Sequence, residues 1–211
     1  MQLAILGDLV DPRKMTGREH TKTHKELRQV LAEINRDYPT QLVTELQFIH
    51  GDQFFGRLNR ADELMIILER ILAGLDGHPV LFGLGLAMAD DLRTDDLTLA
   101  TQALDRLKHT NRRSSQPKSL IRLESAVFDA ALINLLFSQL SYQLSSWTDR
   151  QRRIVWQMRR APSQKELADR LGVSQPYINQ VLQATGYYSY RASLQGITHE
   201  IKRQLFVVLK K

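Results

Sequence analysis

The chain lacks cysteine altogether in its 211 residues. Disulfide bonds, thiolate metal sites and cysteine nucleophiles are therefore excluded. The longest apolar segment, residues 126–140, is interrupted by Asp129 and Asn134 and is shorter than the ~20 apolar residues that a membrane span requires. The N-terminal MQLAILGDLV has neither a basic leader nor a small-residue cleavage site. We therefore expect a cytoplasmic protein with no membrane partner.

Several patterns typical of enzymes are also missing or incomplete. Gly83 and Gly85 lack the third glycine of a dinucleotide-binding fingerprint, and we expect them instead to let a neighbouring backbone approach a strand closely. His20 and His24 have a spacing that suits one metal ion, but no third ligand is evident and their Thr and Lys neighbours favour a solvated helix face. No Ser, His and Asp arrangement indicates a nucleophilic triad.

The most informative stretch that is present is residues 163–186, which predicts a helix-turn-helix. Ser163 and Glu166 have the spacing of a capping box, so a helix begins at Gln164. Gly172 ends this helix, because glycine adopts the left-handed conformation without strain. Ser174 then caps a second helix, which runs to about Ala184.

The second of these helices has a polar outer face. Asn and Gln side chains present a paired donor and acceptor that matches adenine in the major groove. A recognition helix uses residues of this kind near its N-terminus to reach base edges. A solvated helical hairpin with no nucleic-acid role is the alternative. The predicted outward residues are Gln175, Tyr177, Asn179, Gln180 and Gln183.

The charge distribution favours the nucleic-acid interpretation. Residues 145–211 carry twelve Lys or Arg against four Asp or Glu, which gives them a net charge of +8, whereas the whole chain has +6. A basic module of this kind is the electrostatic footprint expected of a protein that binds phosphates. Thr148 and Gln151 form a second capping box, which begins a helix surrounded by arginines suited to phosphate contacts.

The sequence therefore predicts a DNA-binding surface with two kinds of contact. Base contacts come from the second helix of the motif and from its cap, and phosphate contacts come from the basic residues. The predicted DNA-binding residues are Arg152, Arg153, Lys165, Ser174, Gln175, Tyr177, Asn179 and Gln180, with Arg150, Arg159 and Arg160 completing the arginine cluster.

The N-terminal part alternates strand and helix patterns in the order βαββαβ, followed by one more helix and strand. This order is ferredoxin-like, with the helices on one face of the sheet. The fold class expected is α+β: a palm-type sheet domain and then an all-α helix-turn-helix domain. The predicted domains are residues 1–124, a connecting helix over 125–146, and the DNA-binding domain over 147–211. The predicted strands are 2–6, 41–49, 53–58, 79–86 and 119–123, and the predicted helices are 19–37, 61–72, 97–107 and 125–145.

Beyond the motif, a last helix is predicted by Leu194, Ile197, Ile201 and Leu205, which repeat at helical spacing. Its apolar stripe requires a partner surface, either the N-terminal domain or a second copy of the chain. The tyrosines between Gly186 and this helix are expected to pack rather than to contact a nucleic-acid backbone.

Three short motifs in order resemble the SatD family: Asp8 after the first strand, GDQF at residues 51–54, and FGLG at residues 82–85. Members of that family begin with an LIGD-like strand, carry a GDEF-like hairpin and end in a helix-turn-helix. The arrangement is more distantly similar to class III nucleotide cyclases and GGDEF diguanylate cyclases. That resemblance implies an Mg²⁺ site at Asp8 and Asp52 and a nucleotide ligand. His50 and Gln53 depart from the GGDEF pattern, and an incomplete match also suits a plain hairpin turn.

These observations lead to a preferred function and two alternatives. We expect a DNA-binding transcriptional regulator, a homodimer whose cyclase-like N-terminal domain senses a ligand or mediates dimerisation. The first alternative is an Mg²⁺-dependent nucleotidyl-transfer enzyme with a DNA-binding appendage. The second makes the N-terminal domain an assembly module only.

Overall fold

The computed structural model describes residues 1–10, 15–75, 77–88, 95–112 and 118–209. Asp11, which the sequence places beside Asp8, lies outside these ranges. The strands are β1 (Gln2–Leu9), β2 (Leu42–His50), β3 (Gln53–Leu58), β4 (Val80–Ala87) and β5 (Ile121–Ser125). The helices are α1 (Gly17–Asp37), α2 (Leu64–Gly74), α3 (Asp96–Arg112), α4 (Ala131–Ser146), α5 (Asp149–Met158), α6 (Gln164–Leu171), α7 (Gln175–Ala184) and α8 (Tyr187–Leu209).

The strands form one mixed sheet in the order β2-β3-β1-β4-β5. β1 lies in the centre and pairs antiparallel with β3 and with β4, and β2 pairs antiparallel with β3. β4 and β5 run parallel, as a crossover through a helix requires. The first six elements therefore follow the ferredoxin-like order, and the prediction of an α+β fold with a helical C-terminal part is confirmed.

Helices cover both faces of this sheet. Leu3 and Ile5 of β1 belong to the same core cluster as residues of α1 and α2, whereas Ala4 and Leu6 pack with α3. Alternate residues of a strand point to opposite faces, so β1 is buried on both sides and reads as a continuous apolar run. α1 and α2, the helices of the βαββαβ order, therefore share one face, and α3 lies on the opposite face.

Gly83 and Gly85 bring the backbone of α3 against β4. A Cβ atom at Gly85 would overlap the carbonyl oxygen of Asp96, and one at Gly83 would overlap the carbonyl oxygen of Ala100. No side chain fits between this strand and this helix. The prediction that the two glycines permit a close backbone approach is confirmed.

The start of α4 differs from the prediction, because local hydrogen bonds keep residues 125–130 out of the helix. The hydroxyl of Ser125 accepts the backbone N–H groups of Val127 and Phe128 at 3.0 and 3.2 Å, and Asp129 accepts the N–H of Ala131 at 2.9 Å. Serine and aspartate side chains compete with helical hydrogen bonds in this way. The helix begins at Ala131, six residues later than its apolar pattern indicates.

α8 is the last helix, and its apolar stripe is buried within the same chain. Leu194, Ile197, Ile201 and Leu205 are all buried, and the helix packs on α2 and α4. The partner of the stripe is therefore the N-terminal part of the molecule. Among the described residues, no helix combines the length and the apolar character that crossing a membrane requires.

A buried ion cluster joins α2 to the C-terminal helices. The side chain of Glu69 is 2% exposed, and its Oε2 lies 3.0 Å from Arg159 Nη1 and 3.9 Å from Arg191 Nη1. Tyr190, which is also buried, packs edge-on against Trp147 and Trp156 with ring centroids 5.1 and 6.3 Å away. One apolar core runs through this joint from the sheet to α7.

Gly85 provides a test of the contact between α3 and the sheet. Substitution Gly85→Ala forces its Cβ into the α3 backbone, and overpacking of this kind costs about 1–3 kcal/mol. Gly196→Ala is the matched control, because nothing lies within 4 Å of its Cβ position and the residue is inside α8. There alanine should stabilise the protein by about 0.4–1 kcal/mol. Urea unfolding of both variants measures the difference, and equal effects would contradict the close approach.

Glu69 gives a prediction about pH. Burial raises the pKa of the Glu69 carboxyl above 4.5, and the charges of Arg159 and Arg191 offset this only in part. A carboxyl with a raised folded-state pKa stabilises the fold while protonated, and this stabilisation is lost as the pH rises through that pKa. Glu69→Gln mimics the protonated form at every pH. The melting temperature of the wild type should therefore fall relative to that of Glu69→Gln as the pH rises from about 4 to 7. If the melting temperature of the wild type instead rises relative to that of the variant as the pH increases, the raised pKa of Glu69 is refuted.

Candidate nucleic-acid interface

α5, α6 and α7 form a compact three-helix unit. Thr148 caps α5 with a complete capping box, in which its hydroxyl accepts the N–H of Gln151 and the Gln151 side chain accepts the N–H of Thr148. Ser163 caps α6 by accepting the N–H of Glu166 at 3.2 Å. Leu167, Ile178 and the other buried residues of the unit fill the space between its three helices. The capping box predicted at Thr148 is complete, whereas at Ser163 only the hydroxyl half of the predicted box is formed.

The turn between α6 and α7 has the geometry that the sequence predicts. Gly172 adopts φ +64° and ψ 34°, a left-handed conformation that costs glycine nothing. Ser174 then caps α7 by accepting the N–H of Tyr177 at 3.3 Å, with Pro176 in the first turn. The backbone can therefore reverse direction between two short helices.

The outer face of α7 is open to solvent. Gln175, Asn179, Gln180 and Gln183 are exposed, as is the cap residue Ser174. Within the described part of the chain, the side-chain amides of Gln175 and Asn179 make no hydrogen bond to another residue. These donors and acceptors are therefore available to an external partner.

Basic side chains surround this face. The exposed basic residues of the unit that form no ion pair within the described ranges are Arg150, Arg153, Arg160, Lys165 and Arg170. Tyr177 is half-buried, and the guanidinium of Arg150 lies 5.0 Å from the centre of its ring. Arg150 and Gln151 of α5 and Tyr177 and Gln180 of α7 line a shallow groove between these two helices.

Two arginines of the predicted cluster have partners inside the protein. Arg152 is 21% exposed, and its guanidinium donates to the carbonyl of Trp147 at 3.2 Å and lies 3.3 Å from an Asp149 carboxylate oxygen. Arg159 is 15% exposed and pairs with Glu69. A guanidinium that already satisfies a buried carboxylate is costly to remove from it. Arg159 therefore holds the joint together, and Arg152 has less freedom than Arg153.

Asp8, one of the two predicted metal ligands, lies at the end of β1 on the face covered by α3. Its side chain is 17% exposed, and its Oδ2 lies 2.6 Å from Lys108 Nζ and accepts a 3.5 Å hydrogen bond from Gln53. Asp8 also pairs with Gln53 across the β1–β3 ladder. The carboxylate therefore has a cationic partner within the chain.

Asp52, the second predicted ligand, lies in the turn between β2 and β3. Its Oδ1 is 2.6 Å from Nε2 of His20, which belongs to α1. The ring of His24 stacks on Phe48 with centroids 4.1 Å apart. The two histidines therefore contact the hairpin, whereas their sequence neighbours indicate a solvated face.

The register places Asp8 and Asp52 at the same end of the sheet, but their partners come from helices on opposite faces. Within the described ranges, no three or more His, Cys, Asp or Glu side chains come together in an arrangement that could hold a metal ion. Two carboxylates suit an Mg²⁺ ion that arrives with phosphate ligands of its own. The Mg²⁺ site stays a prediction.

Sequence reasoning missed His20 and Lys108 as partners of the two aspartates. Lys108 directly follows Leu107, the last residue of the buried apolar stripe of α3. This position weakly indicates that Lys108 lies near the sheet. His20 lies in the first turn of α1, which a capping box of Thr16 and Glu19 fixes. The capping box marks where the helix begins, but a local pattern does not reveal which hairpin residue it meets.

The comparisons with known proteins identify a family. A search of curated proteins finds no significant match to the chain. The sequence profile of the SatD family matches residues 2–197, which include the sheet, the three-helix unit and the first half of α8. The chain therefore belongs to the SatD family.

Proposed function

We propose that this protein is a DNA-binding transcriptional regulator and that α7 is its recognition helix. The observation that carries the proposal is the outer face of α7, whose Gln175, Asn179 and Gln180 amides point to solvent without partners in the described part of the chain. Amide side chains match the donor and acceptor pattern of adenine in the major groove. Gln175 and Asn179 are four residues apart and lie on one side of the helix, so both can reach the same groove.

The basic residues supply the phosphate contacts in this proposal. Arg153 and Lys165 are exposed on α5 and α6, the two helices that precede α7. Phosphate contacts position a protein on the duplex, and base contacts select the sequence. Ser174 and Tyr177, at the N-terminus of α7, would lie closest to the bases, since recognition helices enter the groove with their N-terminal end.

The N-terminal sheet serves in this proposal as a sensing or assembly part. The buried cluster around Glu69 connects α2 directly to Arg159, at the end of the first helix of the DNA-binding unit. A ligand that shifts α2 would therefore shift the unit as well. Linkage of this kind requires a ligand that distinguishes two arrangements of the joint.

Binding to duplexes selected from a randomised 30-bp library tests the proposal. Affinity should fall steeply with salt, since log K falls with a slope of about −0.9 per phosphate contact. The substitutions Arg153→Ala and Lys165→Ala should each reduce that slope by about 1 and weaken all sequences alike. Combined Gln175→Ala and Asn179→Ala should lower affinity for the selected duplex by about 10-fold or more, since each good base contact contributes about 1–3 kcal/mol of discrimination. Fluorescence anisotropy measures both effects.

Gln195→Ala is the control for the amide substitutions, because Gln195 is an exposed glutamine on α8 outside the three-helix unit. It should bind the selected duplex as the wild type does. Affinity that does not change with salt concentration would refute the proposal. So would a double variant Gln175→Ala and Asn179→Ala that binds the selected duplex as tightly as Gln195→Ala does.

A second function, Mg²⁺-dependent nucleotidyl transfer, is favoured by one observation. The β1–β3 register pairs Asp8 with Gln53, the neighbour of Asp52, so the two carboxylates lie at the same end of the sheet. When bound, the Mg²⁺ ion would supply positive charge for the nucleotide phosphates. Asp8 would first have to exchange its contact with Lys108, and Asp52 its contact with His20.

Incubation with the four nucleoside triphosphates and Mg²⁺ or Mn²⁺, followed by mass spectrometry of products and of retained ligand, tests this second function. If it is correct, Asp8→Asn and Asp52→Asn should each abolish both retention and turnover. Asp129→Asn is the control, because Asp129 is an exposed aspartate far along the chain from both. The second function would be contradicted if Asp8→Asn still retains nucleotide. It would also be contradicted if the wild type shows neither retained nucleotide nor product.

A further inference from the structure

α4 contains no charged residue in its 16 positions, which is unusual for a helix with an exposed side. Its inner face is buried through Ile133, Phe137, Leu140 and Leu144. Its outer face carries Leu132 and two further large apolar side chains. Leu132, Leu135 and Tyr142 are 58%, 57% and 72% exposed. Large apolar side chains that line up on one exposed face of a helix are typical of a surface that a partner covers.

The outer residues form a narrow seam rather than a scattered set. Leu132, Leu135, Gln139 and Tyr142 follow one another at intervals of three, four and three residues. This alternation is the spacing by which one helix packs against another in a coiled coil. The seam extends about 15 Å along the helix, at 1.5 Å per residue.

The centre of the seam indicates which partner it fits. Gln139 is an exposed amide between Leu135 and Tyr142, and an amide carries both a donor and an acceptor. Across a two-fold axis each amide can donate to the other, because symmetry places a group opposite its own copy. An uncharged seam also lets two chains of net charge +6 approach without like charges in contact.

We propose that the outer face of α4 is the interface of a homodimer, with the two-fold axis passing close to Gln139. Leu132, Leu135 and Tyr142 of each protomer pack on the partner's seam. We expect the dimer to dissociate in about the micromolar range. α4 is already folded against the rest of the chain, so the dimer does not depend on ordering it.

The position of α4 gives the dimer a consequence that rests on the proposed DNA binding. Only Trp147 and Thr148 separate α4 from α5, and the Nε1–H of Trp147 donates to the carbonyl of Thr185 at 2.9 Å. The DNA-binding unit is therefore fixed directly to the seam. A two-fold axis at α4 would place two such units symmetrically, and their target would be a palindrome.

Sedimentation velocity of the full chain without DNA, from about 1 to 100 μM, tests the interface independently of DNA binding. The wild type should form dimers in this range, and Leu135→Glu should remain monomeric because it would bury unpaired carboxylates. Val43→Glu is the matched control, because Val43 is also 57% exposed but lies on β2. It should dimerise as the wild type does. Circular dichroism with thermal melting establishes that both variants are folded.

The absence of cysteine allows a direct test of the axis. Gln139→Cys should form a disulfide-linked dimer under mild oxidation, because a disulfide requires the two Cα atoms to be within about 7 Å. Val43→Cys should not do so at the same concentration. The proposal would be overturned if the wild type stays monomeric at 100 μM or if Leu135→Glu still dimerises. Either result would count whether or not the protein binds DNA.

Discussion

The burial of α8 between α2 and α4 is the contact on which the rest of the molecule depends. The helix sends Tyr190 and Ile201 into the core that begins at the sheet, and Arg191 approaches the buried carboxylate of Glu69. Without this contact the sheet and the three-helix unit would share little surface. Because Glu69 and Arg159 come from the two sides of the joint, a buried ion pair helps to fix the orientation of the three-helix unit. Such pairs contribute geometry more than stability, because desolvation offsets much of their attraction.

Elements that local chemistry determines could be predicted from the sequence to within a residue or two. The hairpin around Gly51 and the turn at Gly172 follow from backbone angles that glycine reaches without strain. The cap at Thr148 follows from side-chain hydrogen bonds over three residues. The predicted start of α4 was wrong, because two local patterns favour different structures there. Ser125 and Asp129 bind nearby amides and delay α4, while the apolar pattern alone extends the helix through them.

The outer face of the candidate interface was also readable from sequence, since helical periodicity separates Gln175 and Asn179 from the buried Ile178. The long-range partners of the charged residues could not be predicted in this way. The arginines near α5 look alike in sequence, yet Arg159 meets Glu69 across 90 positions of chain and Arg153 faces solvent. Charge counts predict that a surface is basic. Which of its charges are available depends on what the fold brings beside them.

This difference in availability separates the two candidate sites. Asp8 lies 2.6 Å from Lys108 Nζ and Asp52 lies 2.6 Å from His20 Nε2, so a ligand there must compete with contacts that the protein already makes. The amides on α7 have no such competitor within the described ranges, and a ligand gains their hydrogen bonds without breaking others. A net hydrogen bond contributes only about 0.5–1.5 kcal/mol, so the loss of a prior partner can cancel it. For this reason, binding through α7 requires less rearrangement of the protein than catalysis at Asp8 and Asp52 does.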